Sequence, residues 1–157
     1  MGYWGNDGGR SYHHTAPVNS LYALHESLLM LKEEGLENAW ARHSMLHQAL
    51  KAGLEAMGLS FIVPEGSRLA QLNAVTIPSN VDDAVVRKRL LHEYDLEIGA
   101  GLGSLAGKVW RIGLMGQSAS ASNVMFCLAS LESVLNDMGA TINTGVALPA
   151  AQKATFG

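Results

Sequence analysis

Arg111 stands inside the run Val109-Trp110-Arg111-Ile112-Gly113, a cation with apolar residues on both sides. Such a run reads as a strand largely covered by protein, and a guanidinium placed there needs a partner. Its planar fork can hold a carboxylate through two parallel hydrogen bonds, which fixes an amino acid and distinguishes it from an amine. The plainer possibility is an arginine at a sheet edge that reaches solvent or pairs with Asp or Glu. Taken by itself, the run favours the plainer one.

A second concentration of chemistry lies at Tyr12-His13-His14-Thr15, just ahead of Pro17. The hydroxyls of Tyr12 and Thr15 are good phosphate donors, and a helix with Pro17 in its first turn would aim free N–H groups and positive dipole at an anion. Without a ligand the same residues would be a buried tyrosine and an N-cap threonine. His13 and His14 are adjacent, so in extended chain they point to opposite sides and make poor joint ligands; they read as packing and interface residues. His43 and His47, spaced i, i+4, could face a zinc ion together. The intervening Ser44-Met45-Leu46 lacks the glutamate of the helical zinc motif and no third ligand is evident, so both read as partly buried histidines on the stripe of Trp40 and Leu50, with no metal site. The glycines of Gly99 to Gly107 have the wrong spacing for a dinucleotide turn and lead into a strand instead of a helix. Flexible backbone beside Arg111 is the expected role there.

The elements that must carry these residues follow from periodicity. After a Gly-rich irregular opening, Leu21, Leu24, Leu28 and Leu31 mark a helical stripe; Gly35 interrupts it, and Leu36, Trp40, His43, His47, Leu50, Leu54 and Met57 resume it as far as Gly58. Leu59 to Val63 and Asn73 to Ile77 read as strands around a polar loop containing Pro64, Gly66 and Arg68. Ser79-Asn80-Val81-Asp82 is a capping box opening a helix through Tyr94, with Val86, Leu90 and Tyr94 inward. Leu96 to Gly99 and Val109 to Gly113 are two more strands. A last helix starting near Ser120 or Ser122 packs Val124, Leu128, Leu131, Leu135 and Met138 and stops at Gly139. The order α-β-β-α-β-β-α describes an α+β two-layer sandwich, helices on one face of a mostly antiparallel sheet. It divides the chain into an irregular segment 1–17, a domain 18–139 and a loose, small and nearly uncharged tail 140–157.

At 157 residues, 48% of them hydrophobic, the chain can bury one core but hardly two. A net charge of -3 with scattered basic residues argues against a nucleic-acid surface. No apolar run approaches the roughly 20 residues of a membrane-spanning helix. The one cysteine, Cys127, excludes an internal disulfide and reads as a small buried hydrophobe beside Val124, Leu128 and Leu131. A cytoplasmic location is expected.

Arg10 to Pro17 spells RSYHHTAP, followed by Asn19-Ser20-Leu21-Tyr22-Ala23-Leu24-His25-Glu26 and by Glu33-Glu34-Gly35-Leu36-Glu37. With Gly107-Lys108-Val109-Trp110-Arg111-Ile112-Gly113-Leu114-Met115-Gly116 further on, the chain resembles, from Tyr3 to Met138, the C-terminal small domain of class V aminotransferases of fold type I, the alanine/serine–glyoxylate group. These enzymes use pyridoxal 5'-phosphate (PLP). The resemblance implies the same α+β architecture and makes Arg111 the substrate-carboxylate arginine. It implies that Tyr12 and Thr15 reach across a homodimer interface to the phosphate of the cofactor held by the other subunit. It also implies a missing large domain bearing the Schiff-base lysine, to which none of Lys32, Lys51, Lys88, Lys108 and Lys153 corresponds, so that this chain holds no catalytic residue and is inactive alone. The implied reaction moves an amino group from alanine or serine to glyoxylate or a similar small 2-oxo acid. The alternative is a non-catalytic α+β module that binds an amino acid or 2-oxo acid through Arg111, or mediates dimerisation.

Overall fold

The computed structural model describes residues 14–156. They fall into two compact units, Met1–Ala39 and Trp40–Gly157. In the first, helix α1 (Val18–Glu34) begins directly after Pro17, which has no side-chain cap, and no residue of α1 is buried. Leu21, Leu24 and Leu28 form the expected stripe, yet each is more than half exposed. At Gly35 the backbone takes φ 85°, a left-handed value that costs glycine little, and the helix is interrupted there. Helix α2 (Leu36–Ala56) follows and runs through the boundary into the second unit.

In the second unit, α2 ends as expected at Gly58. The Gly58 amide donates to the Glu55 carbonyl at 2.9 Å and the Leu59 amide to Leu54 at 2.9 Å, with Gly58 at φ 90°, a Schellman cap. A three-stranded antiparallel sheet is built from β1 (Leu72–Thr76), β2 (Gly99–Ala100) and β3 (Val109–Gly113), in the order β1-β3-β2. Between its strands run helix α3 (Asp83–Tyr94) and, after β3, helix α4 (Ala121–Asp137). Leu46, Leu50, Leu54 and Met57 of α2, Val86 and Leu90 of α3, and Val124, Leu128, Leu131, Val134 and Leu135 of α4 close over Val75, Trp110 and Ile112 of the sheet. Helices on one face of an antiparallel sheet make an α+β fold. Cys127 lies in this core, and burial pushes its thiol from the usual 9.0 up to about 12.

Several expected boundaries move. Leu59 to Val63 is not a strand: only Phe61 bridges to Val75, because Pro64 ends the run and offers no N–H to a ladder. The strand expected at Leu96 starts only at Gly99. Asp95 adopts a left-handed φ of 51° as the cap of α3, and the Leu96 amide still donates to Leu90 at 3.1 Å, so that stretch is spent finishing the helix. Asp82 itself, not Ser79, caps α3 by accepting the Val85 amide at 2.9 Å. Ser120 caps α4, as the sequence indicates, and Gly139 at φ 70° stops it. Trp40, placed inward by its spacing, is 62% exposed.

The largest correction concerns the end of the chain, which is not a loose tail. Ala147–Phe156 form helix α5. Ala147 and Ala151, one turn apart, are fully buried. A Cβ at Gly53 would overlap the Leu128 side chain and come within 3.2 Å of the Ala147 carbonyl. Small side chains let helices approach closely, and alanine is the best helix former, so a small uncharged composition here encodes packing instead of disorder.

Candidate functional site

Alternation along β3 sorts its side chains between the two faces of the sheet. Trp110 and Ile112 point into the helix layer and are buried; Arg111 and Gly113 lie on the opposite face, half-buried and exposed. On the core side the neighbours of Arg111 are held firmly. The Trp110 indole donates its Nε1 hydrogen to Asp83 Oδ1 at 2.9 Å, and the same carboxylate takes Arg87 at 2.9 and 3.1 Å. The Asn73 amide donates to the Ile112 carbonyl at 3.2 Å. Asn73 Oδ1 lies 2.7 Å from His47 Nδ1; an amide oxygen only accepts, so the histidine carries its proton on Nδ1. Two helices thus pin the strand on either side of the arginine.

On the open face, register places Ala74 of β1 and Gly99 of β2 beside Arg111. The guanidinium Nε donates to the Ala100 carbonyl at 2.7 Å. No acidic side chain pairs with Arg111 among the described residues. With Nε committed, the outer Nη1/Nη2 pair is the fork left to receive a carboxylate. The loop expected to be flexible backbone is instead a closed turn: the Gly101 amide donates to Val109 at 2.9 Å, Leu105 to Leu102 at 3.0 Å and Lys108 to Leu105 at 3.0 Å. A Cβ at Gly101 would overlap the Leu105 carbonyl, so glycine is needed for that closure.

The other expected site residues are placed unevenly. Tyr12 and His13 lie outside the described residues. Thr15 is exposed, in the first unit, three residues before α1 begins. The amino end of α1 has no side-chain cap from Pro17 and no acid in its first turn, a setting whose dipole favours an anion. His43 and His47 are both buried, at 8% and 7% exposure. His47 is engaged by Asn73 and lies edge-on to Phe61 with ring centroids 6.1 Å apart. Among the described residues, no three His, Cys, Asp or Glu side chains gather to hold a metal. Lys51 pairs with Glu65 and holds that carboxyl below its usual range. No helix among the described residues is long and apolar enough to cross a membrane.

No family model matches the chain. It is, however, 43% identical over 149 residues to the (S)-ureidoglycine–glyoxylate transaminase of Bacillus subtilis strain 168, covering 95% of this chain and 35% of that one. To the alanine–glyoxylate aminotransferase of Callithrix jacchus it is 42% identical over 134 residues, covering 84% of this chain and 32% of the relative. The crystal structure of the Bacillus subtilis ureidoglycine–glyoxylate aminotransferase superimposes with a TM-score of 0.88 at 42% identity, over 97% of this chain and 39% of that one. The chain matches a fragment of a class V aminotransferase. It spans about a third of the length of these relatives. Sequence reasoning placed the Gly99–Gly107 segment near Arg111 but not Ala74 or the bond to the Ala100 carbonyl, because strand register carries no local signal.

Proposed function

We propose that this chain supplies the substrate-carboxylate site of a PLP-dependent aminotransferase that moves an amino group from alanine or serine to glyoxylate or a similar small 2-oxo acid. One observation carries the reading: Arg111 is fixed through Nε to a backbone carbonyl and has no acidic partner among the described residues, so its outer fork is free for a ligand. A structural arginine that pairs with an aspartate or glutamate would leave no such fork. The relatives' names favour this reading over a non-catalytic module.

The cofactor, when bound, supplies the electron sink for transamination. Thr15, by its exposure beside the uncapped end of α1, and Tyr12, by the family motif, are the residues of this chain that would hold its phosphate, reaching from one subunit of a homodimer to the other. Arg111 binds the substrate carboxylate and fixes which way the amino or oxo carbon points. The lysine that carries the cofactor covalently belongs, on this reading, to a larger domain outside these residues.

In the complete enzyme, Arg111→Ala is expected to lower kcat/KM by roughly two to three orders of magnitude, the equivalent of about 3–4 kcal/mol for a lost charged bidentate contact, with PLP retention unchanged. Arg111→Lys should recover only part, since an ammonium cannot reproduce the fork. The 157-residue chain alone, incubated with PLP and borohydride, should take up no stoichiometric covalent label on any lysine. Unchanged substrate kinetics in Arg111→Ala would exclude this reading.

A further inference from the structure

Gly99 faces Arg111 directly across the β2–β3 pair. A Cβ built there would lie 3.4 Å from Arg111 Cβ, 3.4 Å from Nε and 3.3 Å from Nη2. The arginine side chain therefore lies down across β2, over the place where any other residue would carry its side chain. Only from that low position does Nε reach the Ala100 carbonyl at 2.7 Å. Contacts of 3.3–3.4 Å are tight for a Cβ, and the long arginine stem is the part able to yield. A methyl group at position 99 would lift the stem, stretch the Nε bond and turn the outer fork.

We propose that Gly99 is a positioning residue: its missing side chain lets Arg111 lie flat on β2, and this commits Nε to Ala100 and aims the Nη1/Nη2 fork for two-point binding of a carboxylate. The proposal rests on the reading of Arg111 as a carboxylate site and adds the device that orients it. Gly99 is not held by backbone need, since its φ is outside the left-handed range in which several other glycines of this chain sit. Alanine is therefore compatible with the strand. Gly113 provides an internal comparison on the same face of β3. A Cβ there meets only the end of Met115, at 3.8 Å.

The experiment is nitrogen-15 NMR of the Arg111 Nε–H group in the full 157-residue chain, titrated with acetate and glyoxylate, and with methylammonium as a cationic control. In the unmodified chain the Nε–H should exchange slowly, and its signal should respond to both carboxylates and not to methylammonium. Gly99→Ala should speed Nε–H exchange and weaken carboxylate binding by about 5- to 10-fold, as when one of two charge-assisted hydrogen bonds is lost. Its thermal midpoint should stay close to that of the unmodified chain, and Gly113→Ala should bind normally. In an Arg111→Lys background the Gly99→Ala effect on binding should vanish, because lysine has no Nε–H or fork to aim. Equal binding by Gly99→Ala and the unmodified chain, or equal losses in Gly99→Ala and Gly113→Ala, overturns the positioning role while leaving Arg111 as the carboxylate site. No response to carboxylate in the unmodified chain overturns both.

Discussion

The two faces of the small sheet treat polar groups in opposite ways. On the helix side, His47 and Asn73 are buried, and each finds its partner inside the protein: the imidazole donates to the amide oxygen and the amide nitrogen donates to the Ile112 carbonyl. On the other side, Arg111 is half-buried and spends one N–H on Ala100, and no acid neutralises it among the described residues. A buried polar group that is fully partnered holds the fold together. A partly covered cation held in place but not neutralised keeps a fork to offer a ligand. The i, i+4 spacing of His43 and His47 would suit a metal, but the sequence already read both as partly buried, whereas the apolar run around Arg111 taken by itself favoured a structural arginine.

Removing Asn73 should break the contrast most severely. Asn73→Ala leaves the buried His47 donor without its partner and removes the second hydrogen bond of the Ile112 carbonyl, which keeps its sheet partner, for a loss of about 1–3 kcal/mol. Thermal denaturation should show a midpoint lower by about 3–12 °C. Arg111→Ala in the same chain should move the midpoint much less, by under about 1 kcal/mol, as for a group exposed on one side. Similar destabilisation by both substitutions would erase the distinction between the faces.

Cys127 sharpens the picture of the helix layer by a smaller effect. Its thiol is 6% exposed and is raised by burial from 9.0 to about 12, so it is neutral in the native protein at physiological pH. A native pKa above the unfolded one contributes stability that is complete below about pH 9 and lost as pH climbs toward 12. Alkaline denaturation curves should therefore fall more steeply for the unmodified chain than for Cys127→Ala over that window. A thiol reagent at pH 8 should label the native chain no faster than it unfolds. Rapid labelling would show that this layer opens far more readily than its packing allows.

The smallest expected effect is none at all. Zinc should leave the melting midpoint unchanged, because a ligand that binds only the native state must raise it, and His47 Nδ1 is already committed to Asn73. A zinc-dependent rise that disappears in His47→Ala would turn the fully partnered face into a binding face.

Much of this arrangement was legible in the chain itself. The helix stops at Gly58 and Gly139 follow from glycine's tolerance of left-handed backbone, and the cap at Ser120 from a hydroxyl able to accept a free amide. The apolar run around Arg111 dictated a strand, and the RSYHHTAP and WRIGLMG strings pointed to the family. Tertiary structure alone decided the rest. It turned Leu59 to Val63 into a single bridge ended by Pro64 and carried Leu96 into the cap of α3, where its amide donates to Leu90. It made a helix of the alanine-rich end by offering it the small-residue seat at Gly53, and it left Trp40 outside a stripe whose spacing placed it within. Above all, it set Gly99 beside Arg111. Periodicity fixes which way a side chain points along its own strand, but strand register decides what it meets, and register is determined only when the whole sheet closes on its core.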